Sequence, residues 1–175
     1  PGKWEKRGAL RQRDMPEVAA TPVDELLGRL GRRHEERHLR ELGEATDLSN
    51  RKNEERERET LESIRSSERL IYQGRFRSVI EINGEVCDVV GEPDFLLRSG
   101  NGYVIRDAKL SFHIDEQGPH EILRQIEIYG FLFERSVGEA PLALESYSGV
   151  GAVVRFPYLV LTPAIEFFST FRRMR

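Results

Sequence analysis

The chain has 175 residues, of which 33% are charged, and its formal net charge of −3 is not the strongly basic balance of a general nucleic-acid-binding domain. This length allows one domain with a hydrophobic core, and the single cysteine, Cys87, excludes an internal disulfide framework or a four-cysteine cluster. No apolar run is as long as a membrane span and no signal-peptide core opens the chain, so we expect a cytoplasmic protein.

The first predicted element is a helix from about Thr21 to Leu42, after a loosely structured lead-in over residues 1–20. Thr21 suits the N-cap position and Pro22 suits the first helical position, while Gly43 suits the end of the helix. Residues at helical spacing form a stripe that should face the core: Val23, Leu26, Leu27, Leu30, His34 and His38.

A second helix is predicted over roughly residues 49–67, and it should be mostly solvated because its sequence is dense with Glu and Arg. Strands are then predicted at residues 70–79 and 86–90, joined by an Asn83-Gly84 turn. Later elements follow in order: a central hairpin at 91–109, a loop at 113–118, a helix between Pro119 and Gly138, a strand at 150–161, and a helix capped by Thr162. This order predicts an α/β sandwich around a mixed sheet.

The central hairpin carries the residues with the clearest chemistry. If Gly100-Asn101 form its loop, Asp94 lies opposite Asp107 and Glu92 lies opposite Lys109. Facing carboxylates repel each other, and a divalent cation between them would turn that repulsion into a binding site. An Asn101-Gly102 turn would place Asp94 opposite Lys109 on the same face. Such a site suits cation-dependent cleavage of phosphodiesters, although an ordinary hairpin with a surface Asp/Lys pair would show the same residues.

Two further patterns lie on the predicted helices. His34-Glu35-x-x-His38 matches the H-E-x-x-H pattern of zinc proteases, but no nearby histidine offers a third ligand. His34 could instead complete a carboxylate site, or be a hydrogen-bonded core residue. Gln125 and Tyr129 lie four residues apart on an apolar helix face, where they form either part of a site or a polar pair at its edge.

Taken in order, four motifs resemble the RecB-like branch of the PD-(D/E)XK nuclease superfamily: Gly31-x-x-His34-Glu35, Gly91-x-x-Asp94, Asp107-x-Lys109 and Gln125-x-x-x-Tyr129. Ile71-Tyr72-Gln73 and residues 93–97 are similar to the same group, and the resemblance covers residues 21–173. It implies a restriction-endonuclease-like core, with a mixed β-sheet flanked by helices, in a nuclease domain over residues 21–175.

The resemblance also implies roles for single residues. The implied ligands of Mg²⁺ or Mn²⁺ are His34, Asp94, Asp107 and the Ala108 carbonyl. The implied catalytic residues are Lys109, Asp94, Asp107, Gln125 and Tyr129. Of these, Gln125 and Tyr129 would also contact the nucleic-acid strand. An iron–sulfur cluster, which some relatives carry, is excluded by the cysteine count.

The function implied by the resemblance is that of a metal-dependent deoxyribonuclease, such as an exonuclease, in DNA repair, recombination or mobile-element processing. Its implied partners are DNA and a helicase or other nucleic-acid-processing protein, and no membrane. Two alternatives stay open: a catalytically silent nucleic-acid-binding or partner-docking module on the same fold, and a zinc metalloprotease that uses His34, Glu35 and His38.

Overall fold

The structure is a computed structural model that describes residues 21–82, 85–111 and 120–158. These residues contain three helices and eight strands, of which five strands follow one another between the second and third helices. The helices are α1 (Pro22–Leu42), α2 (Asn53–Arg65) and α3 (His120–Val137). The strands are β1 (Thr46–Asp47), β2 (Leu70–Tyr72), β3 (Phe76–Ile82), β4 (Glu85–Gly91), β5 (Phe95–Ser99), β6 (Gly102–Ala108), β7 (Ala143–Tyr147) and β8 (Val153–Phe156).

Six of these strands form one mixed sheet in the order β1-β2-β5-β6-β7-β8. The β1–β2 and β6–β7 pairs are parallel, and the other neighbours are antiparallel. Strands β3 and β4 pair separately as a two-stranded hairpin. A mixed sheet flanked by helices confirms the predicted α/β class.

The two faces of the sheet pack against different helices. One face carries the larger core, in which Ile105 and Leu144 pack with α3 residues such as Leu132. The other face carries a smaller cluster around Phe95, against which Leu39 of α1 packs. Because side chains alternate along a strand, β6 directs odd-numbered residues toward α3 and even-numbered residues toward α1.

Helix α1 has the predicted ends but not the predicted buried stripe. Thr21 and Asp24 form a reciprocal cap, and Gly43 ends the helix with a φ of +88°. The apolar residues of the first turns are nevertheless 42–62% exposed: Val23, Leu26, Leu27 and Leu30. The prediction that they face the core is wrong within the described residues, because only the second half of α1 lies over the sheet, where His34, Glu35 and His38 are buried.

Helix α2 is less solvated than its charge predicts. Leu61 and Ile64 pack against the main core as expected. Arg56 and Thr60 are also buried, because they face the chain that connects β2 to β3. A helix dense with Glu and Arg therefore contributes a buried arginine to the interior.

The predicted strand at residues 70–79 is two strands, because the chain breaks at Gln73, which has a φ of +58°. Strands β1 and β7 were not predicted: β1 has only two residues, and β7 contains Glu145 and Ser146, which interrupt its apolar pattern. Of the strand predicted at 150–161, residues Val153–Phe156 form β8, and residues 159–161 lie outside the described residues.

The central hairpin has the register expected for a Gly100-Asn101 loop, since Ser99 pairs with Gly102. Helix α3 is also confirmed, with Gly138 at its end in a left-handed conformation. The lead-in, the Asn83-Gly84 turn, the loop after Lys109 and the helix predicted after Thr162 lie outside the described residues. Among the residues that the structure describes, no helix has the length and apolar character needed to cross a membrane.

Gly91 packs so closely against α3 that we expect a side chain there to be destabilising. A Cβ atom at this position would lie 2.7 Å from Leu132 Cδ1 and 2.8 Å from Tyr129 Cδ1. Gly91→Ala should therefore lower the free energy of unfolding by about 1–3 kcal/mol. Gly28→Ala on α1 is the control, because its nearest neighbour is 3.7 Å away and alanine favours helix by about 0.5–1 kcal/mol. Urea unfolding followed by circular dichroism measures both, and equal stabilities would contradict this packing.

Candidate functional site

Two buried carboxylates lie across the central hairpin. The register that pairs Phe95 with Arg106 places Asp94, just before β5, across from Asp107 at the end of β6. Asp94 is 8% exposed and Asp107 is 2% exposed. Burial raises the pKa of Asp94 well above its usual range, and the negative charges of Asp107 and Glu35 raise it further. The structure therefore brings the two predicted aspartates together in a buried acidic site.

Hydrogen bonds fix the orientation of Asp94. Its Oδ2 atom accepts a hydrogen bond of 2.8 Å from the Ala108 backbone N–H, and its Oδ1 atom accepts one of 3.1 Å from Gln73 Nε2. The Asp94 backbone carbonyl accepts a third, of 2.8 Å, from the Gln73 N–H. Both carboxylate oxygens are thus held by neighbouring strands.

Lys109 supplies the positive charge of the site. Its Nζ atom forms an ion pair with Asp107 Oδ2. Burial alone would lower the pKa of Lys109, but the charges of Asp107 and Asp94 outweigh it, and the pKa is raised. Lys109 is therefore protonated at neutral pH. Within the described residues, Asp107 Oδ2 accepts no hydrogen bond of suitable geometry and relies on this ion pair.

Gln125 and Tyr129 of α3 reach the same site. Gln125 Nε2 donates a hydrogen bond of 2.5 Å to the Tyr129 hydroxyl oxygen, which leaves the hydroxyl proton to be donated elsewhere. Burial raises the pKa of Tyr129, and the charges of Asp107 and Asp94 raise it further. The tyrosine hydroxyl is therefore neutral and lies within electrostatic reach of both aspartates.

His34, in contrast, makes its contacts at Tyr147. Its ring stacks on Tyr147 at 4.8 Å between centroids, and its Nε2 atom lies 3.3 Å from the Tyr147 carbonyl oxygen. Nδ1 lies 3.0 Å from Arg37, which can only donate, so Nδ1 accepts and Nε2 carries the proton. Both ring nitrogens are engaged. Ligation of a metal by His34, and by the Ala108 carbonyl, stays a prediction.

Glu35 is the third acidic group of the site, and the sequence interpretation missed it in this role. Its Oε1 atom accepts a hydrogen bond of 2.8 Å from the Tyr72 hydroxyl and another from Gln73 Nε2. The charge of Glu35 contributes to the raised pKa of Asp94. Its position beside His34 in the first motif was the available signal, but periodicity alone does not distinguish which of the two neighbours faces the aspartates.

His38 belongs to a polar network between α1 and the sheet. Its Nε2 atom accepts from Arg106 at 3.0 Å and its Nδ1 atom donates to Glu41 at 3.2 Å. Its ring stacks on Tyr147 at 3.6 Å, and Arg106 also pairs with Glu145. His38 therefore contributes to packing, and no group of three histidine, cysteine or acidic residues in the described ranges has the geometry of a metal site, zinc sites included.

The donors at the aspartate pair nevertheless fit a hard divalent cation better than any other implied group. Asp94 and Asp107 offer carboxylate oxygens, which Mg²⁺ and Mn²⁺ prefer, and Lys109 is the partner of the buried Asp107 Oδ2 atom among the described residues. Cys87 is buried in the main core, away from this donor set. A cation would also offset the negative charge of Asp107, which adds to the effect of burial on the pKa of Asp94.

Comparison with protein-family models and with curated proteins finds no match. Among solved structures, the chain is similar to the crystal structure of SSO0001, with a TM-score of 0.46 and 14% identity. That similarity covers 86% of this chain and 87% of the other.

The buried His38 makes stability depend on pH. Burial lowers its pKa below the 6.5 of an unfolded histidine, so the unfolded state binds more protons as the pH falls below that value, and the free energy of unfolding decreases. His38→Gln removes the titrating ring. We expect this substitution to lower the free energy of unfolding by about 1–3 kcal/mol at pH 7, because the hydrogen bonds of His38 are lost. It should also make the decline of that free energy between pH 7 and 5 less steep. Denaturant titrations at several pH values test this, and parallel curves for both proteins would contradict it.

Proposed function

We propose that this chain is a Mg²⁺- or Mn²⁺-dependent deoxyribonuclease that hydrolyses DNA phosphodiester bonds. The observation that carries the proposal is the buried pair of Asp94 and Asp107, together with the Lys109 ammonium that pairs with Asp107. Tyr129 lies within electrostatic reach of this pair, and Gln125 is hydrogen-bonded to its hydroxyl. DNA as the substrate, and a helicase or related protein as a partner, are proposed from the sequence resemblance.

The energetic cost of the carboxylate pair supports a functional role for it. Burying two like charges side by side destabilises a fold, and the raised pKa of Asp94 reports that cost. Two apolar side chains at the same positions would pack without this electrostatic cost. Titratable groups with perturbed pKa values concentrate at active sites, and here burial and the charges of Asp107 and Glu35 raise the pKa of Asp94.

The residues of the site would divide the chemistry as follows. A divalent cation held by Asp94 and Asp107 would supply Lewis acidity that polarises the phosphate and activates a water molecule for attack. Lys109 holds its proton at Nζ and can offset negative charge on a phosphate oxygen.

Tyr129 would orient the scissile phosphate, since its hydroxyl proton can be donated to a phosphate oxygen while Gln125 holds the hydroxyl oxygen. Asp94 keeps one orientation because Ala108 and Gln73 hold both of its carboxylate oxygens.

Lys109→Ala should lower the rate of DNA cleavage about 100-fold or more, because the lost ammonium no longer stabilises developing charge. Purified protein is incubated with labelled single- and double-stranded DNA, with Mn²⁺ or with EDTA. Lys52→Ala is the matched control, because Lys52 is exposed at the start of α2 and its side chain does not cap the helix. Equal cleavage by Lys109→Ala and wild type would contradict the proposal. A gel shift without cleavage in any lane would favour a nucleic-acid-binding module instead.

We expect the protein to bind a divalent cation without any substrate. Mn²⁺ at about 100 times its Kd should stabilise the wild type by about 2.7 kcal/mol, and Asp107→Asn should lose most of that gain. Asp88→Asn is the control, since Asp88 lies on an exposed part of β4 and pairs with exposed Arg77. Thermal melts with Mn²⁺ and with EDTA measure the shift. The same shift in both variants would show that Asp107 does not hold the cation.

A further inference from the structure

Gln73 has an unusual backbone conformation at the point where β2 ends. Its φ is +58°, in the left-handed region that glycine adopts without strain and that a residue with a long side chain adopts at a cost. Gly74 follows immediately, so the chain offers a glycine one position away from the bend. A strained non-glycine residue persists only where its surroundings hold it, and such residues concentrate at functional sites.

Contacts on both sides hold Gln73 in this conformation. Its backbone N–H donates to the Asp94 carbonyl at 2.8 Å, and its backbone carbonyl accepts from Arg56 Nε at 2.5 Å. Its side chain extends toward the acidic site, where Nε2 donates to Asp94 Oδ1 at 3.1 Å and to Glu35 Oε1. One amide therefore links two carboxylates that come from different elements, the start of β5 and helix α1.

Arg56 determines which way the amide faces. Arg56 Nη2 lies 3.1 Å from Gln73 Oε1, and a guanidinium can only donate hydrogen bonds. The amide oxygen must therefore face Arg56, and both N–H groups of Nε2 face the carboxylates. Arg56 is itself buried on α2, and its Nη1 atom lies 3.8 Å from Glu92 Oε1. Its position is therefore constrained as well.

We propose that Gln73 is a positioning residue for cation binding: its amide fixes Asp94 and Glu35 relative to each other, and Arg56 fixes the amide. The inference rests on the proposed function in one respect, namely that the aspartate pair binds a divalent cation. Gln73 does not need to touch that cation. It acts through Asp94, whose remaining hydrogen bond from Ala108 would not by itself define the direction of the carboxylate.

A purely structural role makes a different prediction. If Gln73 only joined β2 to α2 and β5, replacing its amide would lower stability and leave the affinity for Mn²⁺ unchanged. Positioning predicts a loss of affinity in a protein that remains folded. The two roles are separated by measuring Mn²⁺ binding and metal-free stability on the same variants.

The test is a Mn²⁺ titration in which the free ion is followed by electron paramagnetic resonance, with no DNA present. Gln73→Met keeps the length of the side chain and the non-glycine backbone but lacks the amide. We expect it to bind Mn²⁺ about 10–100-fold more weakly, the usual effect of losing a residue that orients a ligand. Gln73→Asn is the second variant: asparagine tolerates the left-handed backbone well, so it should fold, but its amide is too short to reach the carboxylates.

Tyr103→Phe is the control for loss of a structural hydrogen bond. The Tyr103 hydroxyl donates to the Glu68 carbonyl at 2.7 Å, and Tyr103 lies near the start of β6, at the opposite end from Asp107. Tyr103→Phe should lower the melting temperature without changing the affinity for Mn²⁺.

Arg56→Met should weaken Mn²⁺ binding less than Gln73→Met does. The double variant should bind Mn²⁺ no more weakly than Gln73→Met alone, because Arg56 acts through the Gln73 amide.

The outcomes separate this inference from the proposed function. Wild-type affinity in folded Gln73→Met or Gln73→Asn, beside clear binding by the wild type, overturns the role of Gln73 and leaves the nuclease proposal standing. Failure of the wild type itself to bind Mn²⁺ overturns the proposed function and this inference with it. Weak binding by both Gln73 variants, with Tyr103→Phe unchanged, supports positioning.

Discussion

The burial of Asp94 opposite Asp107 is the constraint on which the surrounding structure depends. Burial raises the pKa of Asp94 and the negative charge of Asp107 raises it further, so the fold must compensate these carboxylates locally. Lys109 neutralises one aspartate, while Ala108 and Gln73 satisfy the other with hydrogen bonds. The compensation comes from the end of β6, the lysine that follows it, and the bend after β2, which makes the site a property of the assembled sheet.

Alternation along β6 separates the chemistry of the site from the packing of α1. Asp107 shares its face with the α3 residue Tyr129, whereas its neighbour Arg106 faces α1 and contacts His38. The histidines of the H-E-x-x-H pattern both stack on Tyr147. Their spacing of one helical turn therefore serves the contact between a helix and a sheet, for which aromatic rings one turn apart are equally suitable.

Helix α2 shows how a charged segment can support a buried site. Arg56 lies among glutamates in the sequence, which predicts a solvated surface position. It is nevertheless buried, and its guanidinium is hydrogen-bonded to Gln73. A guanidinium offers several donors in a fixed plane, so one residue can satisfy both the backbone carbonyl and the side-chain amide of a strained position.

The sequence by itself determined the features that depend on local geometry: both ends of α1, the C-terminal end of α3, and a central hairpin that carries Asp94 and Asp107 on one face. Caps, tight turns and strand alternation act over a few residues, so spacing is enough to predict them. Only the tertiary structure decided that the hairpin places Asp94 opposite Asp107, that Glu35 shares the Gln73 amide with Asp94, and that the chain bends at Gln73. Adjacent helical residues point about 100° apart, so the rotation of α1 about its axis selects whether His34 or Glu35 faces Gln73, and that rotation is set by packing on the sheet.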